Sequence, residues 1–143
     1  MKSLALIVVF LSVFSSCTKD KEETTITIDY HGKWTLVKMS GSIINSVTTE
    51  TSKDWQEYYS FNNDGTFSKS RTRNTIKTTV SGTYTTQTNS DLLYLELTYP
   101  KDSEIIASCY GNLKEELYFS ASTSLSSTWR NCDGSGLDYE KVN

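Results

Sequence analysis

Ile76-Lys77-Thr78-Thr79-Val80-Ser81-Gly82-Thr83-Tyr84-Thr85-Thr86 decides the fold. In an extended chain Ile76, Thr78, Val80, Gly82 and Tyr84 share one face, and Lys77, Thr79, Ser81, Thr83 and Thr85 share the other. A period of two with a less polar and a more polar face belongs to a strand that lies between a core and water. β-Branched and aromatic side chains suit its pleated surface.

The same pattern extends in both directions. Asn62-Asn63-Asp64-Gly65 is a hairpin signal, because Asp-Gly readily supplies the positive-φ positions of a tight turn. Before it, residues 55–61 place Trp55, Tyr59 and Phe61 on one face; after it comes a strand at 66–73. Residues 92–99 point Leu93, Leu95, Leu97 and Tyr99 inward. Further strands are predicted at 34–40, 104–110, 116–121 and 137–142, with Ser/Thr-rich loops at 40–54 and 122–131. No segment carries a helical stripe. Eight consecutive antiparallel strands predict an all-β domain, as an up-and-down barrel or a two-sheet sandwich. Closure into a barrel would remove exposed edges.

The composition agrees. The chain has 143 residues, enough for one domain. Nine tyrosines suit strands, and one proline with seven glycines argues against a disordered chain. The net charge is −3, with both signs interspersed. No basic stripe is available to neutralise phosphates, so no nucleic-acid partner is expected.

Residues 1–16 read as a targeting segment. Lys2 is followed by an apolar run from Leu4 to Phe14, too short for a mature span of about 20 residues. Val13-Phe14-Ser15-Ser16-Cys17 resembles a bacterial lipobox, with Phe14 where leucine is more usual. The resemblance implies cleavage before Cys17 and acylation (palmitate or a similar chain) of that cysteine. Two or more acyl chains give stable anchoring where one does not. Thr18 stands where an aspartate would retain many such lipoproteins in the inner membrane, so the outer membrane is expected, with the domain periplasmic or surface-facing. Lys19-Asp20-Lys21-Glu22-Glu23 resembles a charged export tag and also suits a solvated tether. Residues 17–30 form that tether, with a reach of at most about 50 Å. The domain is residues 31–143.

Within it, several motifs resemble bacterial lipocalin-like domains. Gly32-Lys33-Trp34 is similar to the Gly-x-Trp signature, and Phe61-Asn62-Asn63-Asp64-Gly65-Thr66-Phe67 to the Phe-x-x-Asp-Gly-Thr-Phe hairpin. Gly82-Thr83-Tyr84 resembles a third motif; Cys132-Asp133-Gly134 with Tyr139-Glu140-Lys141-Val142 resembles the closing strand. The family implies an eight-stranded barrel with Trp34 as a plug at its closed end. A basic residue of the last strand, here Lys141, would lie over that tryptophan.

Candidate chemistry is sparse. With Cys17 as anchor, Cys109 and Cys132 remain as an even pair, expected to form a disulfide in an oxidising compartment. Two free buried thiols are the alternative. The bridge would close a loop of about 24 residues, worth roughly 3 kcal/mol. His31, the single histidine, abuts the tether and is a poor general base. Asp91, Glu96, Asp102, Glu104, Glu115 and Glu116 flank or line strands and read mostly as outward-facing charge. Glu57 lies between Trp55 and Tyr59 on one face. If buried, it would need a partner such as Lys69 or Arg71; a place at the open mouth, reached by water, is the simpler reading. The turn at residues 62–65 lacks the later carboxylates of a calcium loop. No catalytic residue, cofactor or metal site is expected.

Trp55, Glu57, Tyr59, Phe61 and Tyr84 are the expected lining of any cavity. The leading expectation is a small apolar or amphiphilic ligand held in the barrel. The second is a protein-interaction module, an inhibitor or surface accessory protein, using the loops at 40–54 or 122–131, with Trp129 and Arg130 as contact residues. An eight-stranded barrel is just wide enough to be filled by side chains or to hold one small ligand. A filled interior favours the second reading.

Overall fold

The computed structural model describes residues 28–41, 47–48 and 55–143. The expected signal segment, Cys17, most of the tether and most of the 40–54 loop lie outside the described residues. The strands are β1 (Gly32–Ser40), β2 (Val47–Thr48), β3 (Gln56–Phe61), β4 (Thr66–Arg73), β5 (Ile76–Asn89) and β6 (Leu92–Thr98), then β7 (Lys114–Ala121), β8 (Ser124–Ser127) and β9 (Gly136–Val142). A 3-10 turn, Thr128–Cys132, joins the last two.

Every pairing is antiparallel. The order runs β1-β3-β4-β5-β6-β7-β8-β9, and β9 returns to β1 along the register Lys33↔Val142 to Ser40↔Gly136. This is a closed eight-stranded up-and-down barrel, with β2 as a two-residue flank on β1. The alternation read from the sequence sets its faces. Trp34, Tyr59, Phe61, Phe67, Leu95, Leu97, Leu117, Leu125 and Tyr139 are buried inside.

The two ends differ. At one end lie the incoming chain, the turns after β3, β5 and β7, and the C-terminus. Gly65, at φ +79, makes the β3–β4 turn there, and Asp64 accepts from the Thr66 amide and hydroxyl. The Trp34 indole N–H donates to the Tyr30 carbonyl at 2.8 Å, and the Tyr30 ring meets Tyr84 and Phe119 edge-on or tilted. Lys141 lies opposite Trp34 in the register, but its amine bonds Asp29 across the entering segment. The opposite end carries the β4–β5 turn, residues 99–113 and the 3-10 turn. The Cys109–Cys132 disulfide ties the last two together, with Cα atoms 5.6 Å apart.

Two strand assignments need correction. Residues 104–110 are not a strand. β6 ends at Thr98, the Tyr99 amide turns to the Leu113 carbonyl, and Ile106 N–H bonds Ser103 in a tight turn. Ile105 and Ala107 are buried, yet they close the barrel end without a ladder partner. The eighth strand is instead Ser124–Ser127, expected to be loop. Leu125 is its one apolar residue, and Ser126 and Ser127 are buried between β7 and β9. β7 also begins at Lys114, two residues earlier than read, which sends Glu115 into the core.

Candidate functional site

The centre of the barrel is a buried polar cluster. Cross-strand register builds its first half, because β3 and β4 place Glu57 opposite Arg71 and Tyr59 opposite Lys69, all in the inward phase. β7 contributes Glu115, β9 contributes Tyr139, and Tyr99 enters where the chain leaves β6. Glu57, Lys69 and Glu115 are each at most 1 % exposed.

The Lys69 ammonium donates to both oxygens of Glu115 at 2.9 and 3.1 Å and lies 3.3 Å from Glu57. Its charge also sits 4.9 Å from the centre of the Tyr59 ring. The Glu115 carboxylate accepts from the Tyr59 and Tyr99 hydroxyls at 2.6 and 2.5 Å. Glu57 accepts from the Tyr139 hydroxyl at 2.5 Å and from the Arg71 guanidinium. Two carboxylates meet two cations, so the formal charge of the cluster cancels. Such a group tolerates burial because each charge is paired and every carboxylate oxygen accepts from a donor.

Burial and the neighbouring carboxylates push the Tyr59, Tyr99 and Tyr139 phenols well above their ordinary value. The ionised phenolate would be dehydrated and would face a negative charge. These three groups are therefore fixed as donors.

At the disulfide-tied end, the Arg71 guanidinium lies over the Trp55 ring at 4.2 Å, and Arg73 approaches the same ring at 5.6 Å. Among the described residues the buried Trp55 indole N–H has no hydrogen-bond partner. A cleft of about 210 Å³ lies beside them, lined by Arg71, Arg73, Asn74, Ile76, Thr78, Glu104 and Ile105.

Each expected site residue can now be placed. Trp34 is fully buried at the end where the chain enters. Trp55, Glu57, Tyr59, Phe61 and Tyr84 all project inward. They are packed against neighbours: Tyr59 stacks on Phe61 at 5.7 Å and meets Tyr139 edge-on at 5.0 Å. Glu57 is not at a water-filled mouth, because Lys69 and Arg71 neutralise it inside the wall. Glu115, expected to face outward, is the second correction of the same kind. Its signal was the inward phase shared with Leu117 and Phe119, one strand position outside the range read as β7. Trp129 packs against the core, and Arg130 pairs with Asp138 at 3.0 Å. His31 bonds Asp29 at 3.2 Å on the surface.

Comparison of the chain with protein-family models, with curated proteins and with solved structures returned no match.

Proposed function

We propose that this chain is a membrane-anchored barrel that acts through its outer surface and loops as a protein-interaction module, with Cys17 as the lipid site and the outer membrane as its location. One observation carries the reading. The space where a barrel would hold a ligand is occupied by the Tyr59, Tyr99 and Tyr139 rings, Phe61, and the Glu57–Lys69–Glu115 cluster, each at most 2 % exposed. A carrier needs a concave, largely apolar pocket. Here aromatic rings fill the interior, and the Glu57, Lys69 and Glu115 side chains are satisfied by one another and by the three tyrosine hydroxyls. The same reading takes the chain as non-enzymatic, since the two carboxylates of the central cluster, Glu57 and Glu115, are sealed from any substrate.

A second reading keeps a small ligand but moves it. The cleft beside Arg73 and Ile76 offers a cation and an apolar wall to a small amphiphile, outside the barrel proper.

Native mass spectrometry of the full chain, extracted from membranes in detergent, tests both. The expected mass is that of residues 17–143 with acyl chains on Cys17 and two hydrogens missing for the disulfide. A further small molecule released on denaturation would overturn the interaction reading. A chain that keeps residues 1–16 and carries no acyl group would overturn the anchor.

A further inference from the structure

β5 is longer than either neighbour. Residues 76–83 pair with β4, whereas pairing with β6 starts only at Thr83. Beyond Thr98 the chain leaves to close the barrel end, and none of its backbone hydrogen bonds returns to β5. Among the described residues, the β6-side edge of β5 from Ile76 to Ser81 therefore presents unpaired N–H and C=O groups, up to Gly82, where the Thr98 carbonyl packs against the chain. Such an edge is a template for another strand.

We propose that this edge is a homodimer interface, formed by antiparallel pairing with a second copy of the chain about a two-fold axis through Thr78. This inference does not rest on the reading of the interior. A two-fold normal to the sheet pairs residues whose numbers share parity, which keeps inward faces together. Ile76 then lies opposite Val80 of the second copy, and Thr78 opposite its own equivalent. Ile76 is 70 % exposed and Val80 half-buried in the single chain. The pairing covers both with β-branched neighbours, a favourable cross-strand combination.

On the other face Lys77 lies opposite Thr79, so no like charges are directly opposed. The Lys77 amine also leans away from the edge, across β4, to the Tyr58 hydroxyl at 3.2 Å. An edge lysine would ordinarily discourage pairing; this one is turned aside. β5 has a second unpaired stretch beyond Thr83, on the β4 side, but residues 85–89 are Thr, Gln and Asn only. They offer nothing apolar to cover. The 76–80 contact is short, so the dimer is weak and concentration-dependent.

The test uses the full chain in cell membranes. Paired strands bring Thr78 and its equivalent to about 4.5–5.5 Å between Cα atoms, within disulfide range. Thr78→Cys is expected to give a dimer of twice the chain mass on mild oxidation and a non-reducing gel. Adding Ile76→Lys is expected to reduce that cross-link roughly tenfold or more, while the thermal midpoint holds, because Ile76 is exposed in the single chain. Thr86→Cys is expected to give none. No cross-link at Thr78→Cys, a band of mixed mass with another protein, cross-linking through Thr86→Cys, or insensitivity to Ile76→Lys would each overturn the proposal.

Discussion

The Lys69 ammonium and the Glu115 carboxylate meet at 2.9 Å with neither side chain exposed, at the centre of a barrel whose wall hides both from water. A buried pair of this kind adds little over apolar residues of the same volume, but breaking it leaves an uncompensated charge. Lys69→Met should therefore cost about 3–5 kcal/mol. Lys69→Met with Glu115→Gln should cost clearly less than the two single changes added together, because the second removes the orphaned charge. Urea unfolding of the four proteins closes the cycle. Additive costs would show that the two residues do not act as a pair.

The tyrosines around the cluster predict its alkaline behaviour. Tyr59, Tyr99 and Tyr139 have phenols raised by burial and by the adjacent carboxylates. In the unfolded chain each ionises near pH 10. Above that value the unfolded state binds fewer protons, so stability is full below about pH 10 and falls as pH rises. Each phenol contributes a slope of about 1.4 kcal/mol per pH unit. Phenolate absorbance should show these three ionising only as the chain unfolds. Tyr99→Phe should reduce the slope by one proton. Ionisation of all nine tyrosines in the folded protein would contradict the buried geometry.

The barrel was legible in the sequence where apolar and polar residues alternate, as in Leu93, Leu95 and Leu97, and where Asp64-Gly65 sets a turn. It was hidden where the alternation carried the wrong chemistry. Ser124–Ser127 is a strand with one apolar residue, held because β7 and β9 flank it on both sides. Residues 104–110 bury Ile105 and Ala107 but have no ladder partner, and strand identity lies in the ladder. For Glu57 the sequence named Lys69 and Arg71 as partners should it be buried, because the hairpin at Asp64-Gly65 fixes their spacing, but the water-filled mouth was the simpler reading and the buried one is what the structure has. Glu115 had no such signal, because a single carboxylate next to a strand start reads as solvent-facing until a distant tyrosine and lysine are known to reach it. Long-range convergence of four strands on one point leaves no local signature.

The disulfide predicts a stability difference confined to one end. Cys109 and Cys132 are 23 residues apart and join the 99–113 segment to the 3-10 turn. Replacing both with serine should lower unfolding free energy by roughly 3 kcal/mol. Hydrogen exchange should rise first at residues 103–111, whose Ile105 and Ala107 plug the barrel end. Faster exchange appearing first at Trp34 or Tyr30 instead would mean that the bridge does not hold that plug.

The entering segment is held mainly by one indole. The Trp34 N–H donates to the Tyr30 carbonyl, and the Tyr30 ring lies against Tyr84 and Phe119 at 5.9 and 6.4 Å. Lys141 adds a second clasp through Asp29, but Asp29 is largely exposed, so that ion pair is screened and weak. Trp34→Phe removes the donor and leaves space beside Phe119, at a cost of about 1–3 kcal/mol. Residues 28–31 should then detach before the barrel opens. Limited chymotrypsin digestion should cut after Tyr30 much faster in Trp34→Phe than in Lys141→Ala, with the barrel intact in both. Equal rates would place the hold on the Lys141–Asp29 contact, and the tryptophan would be a plug without a clasp.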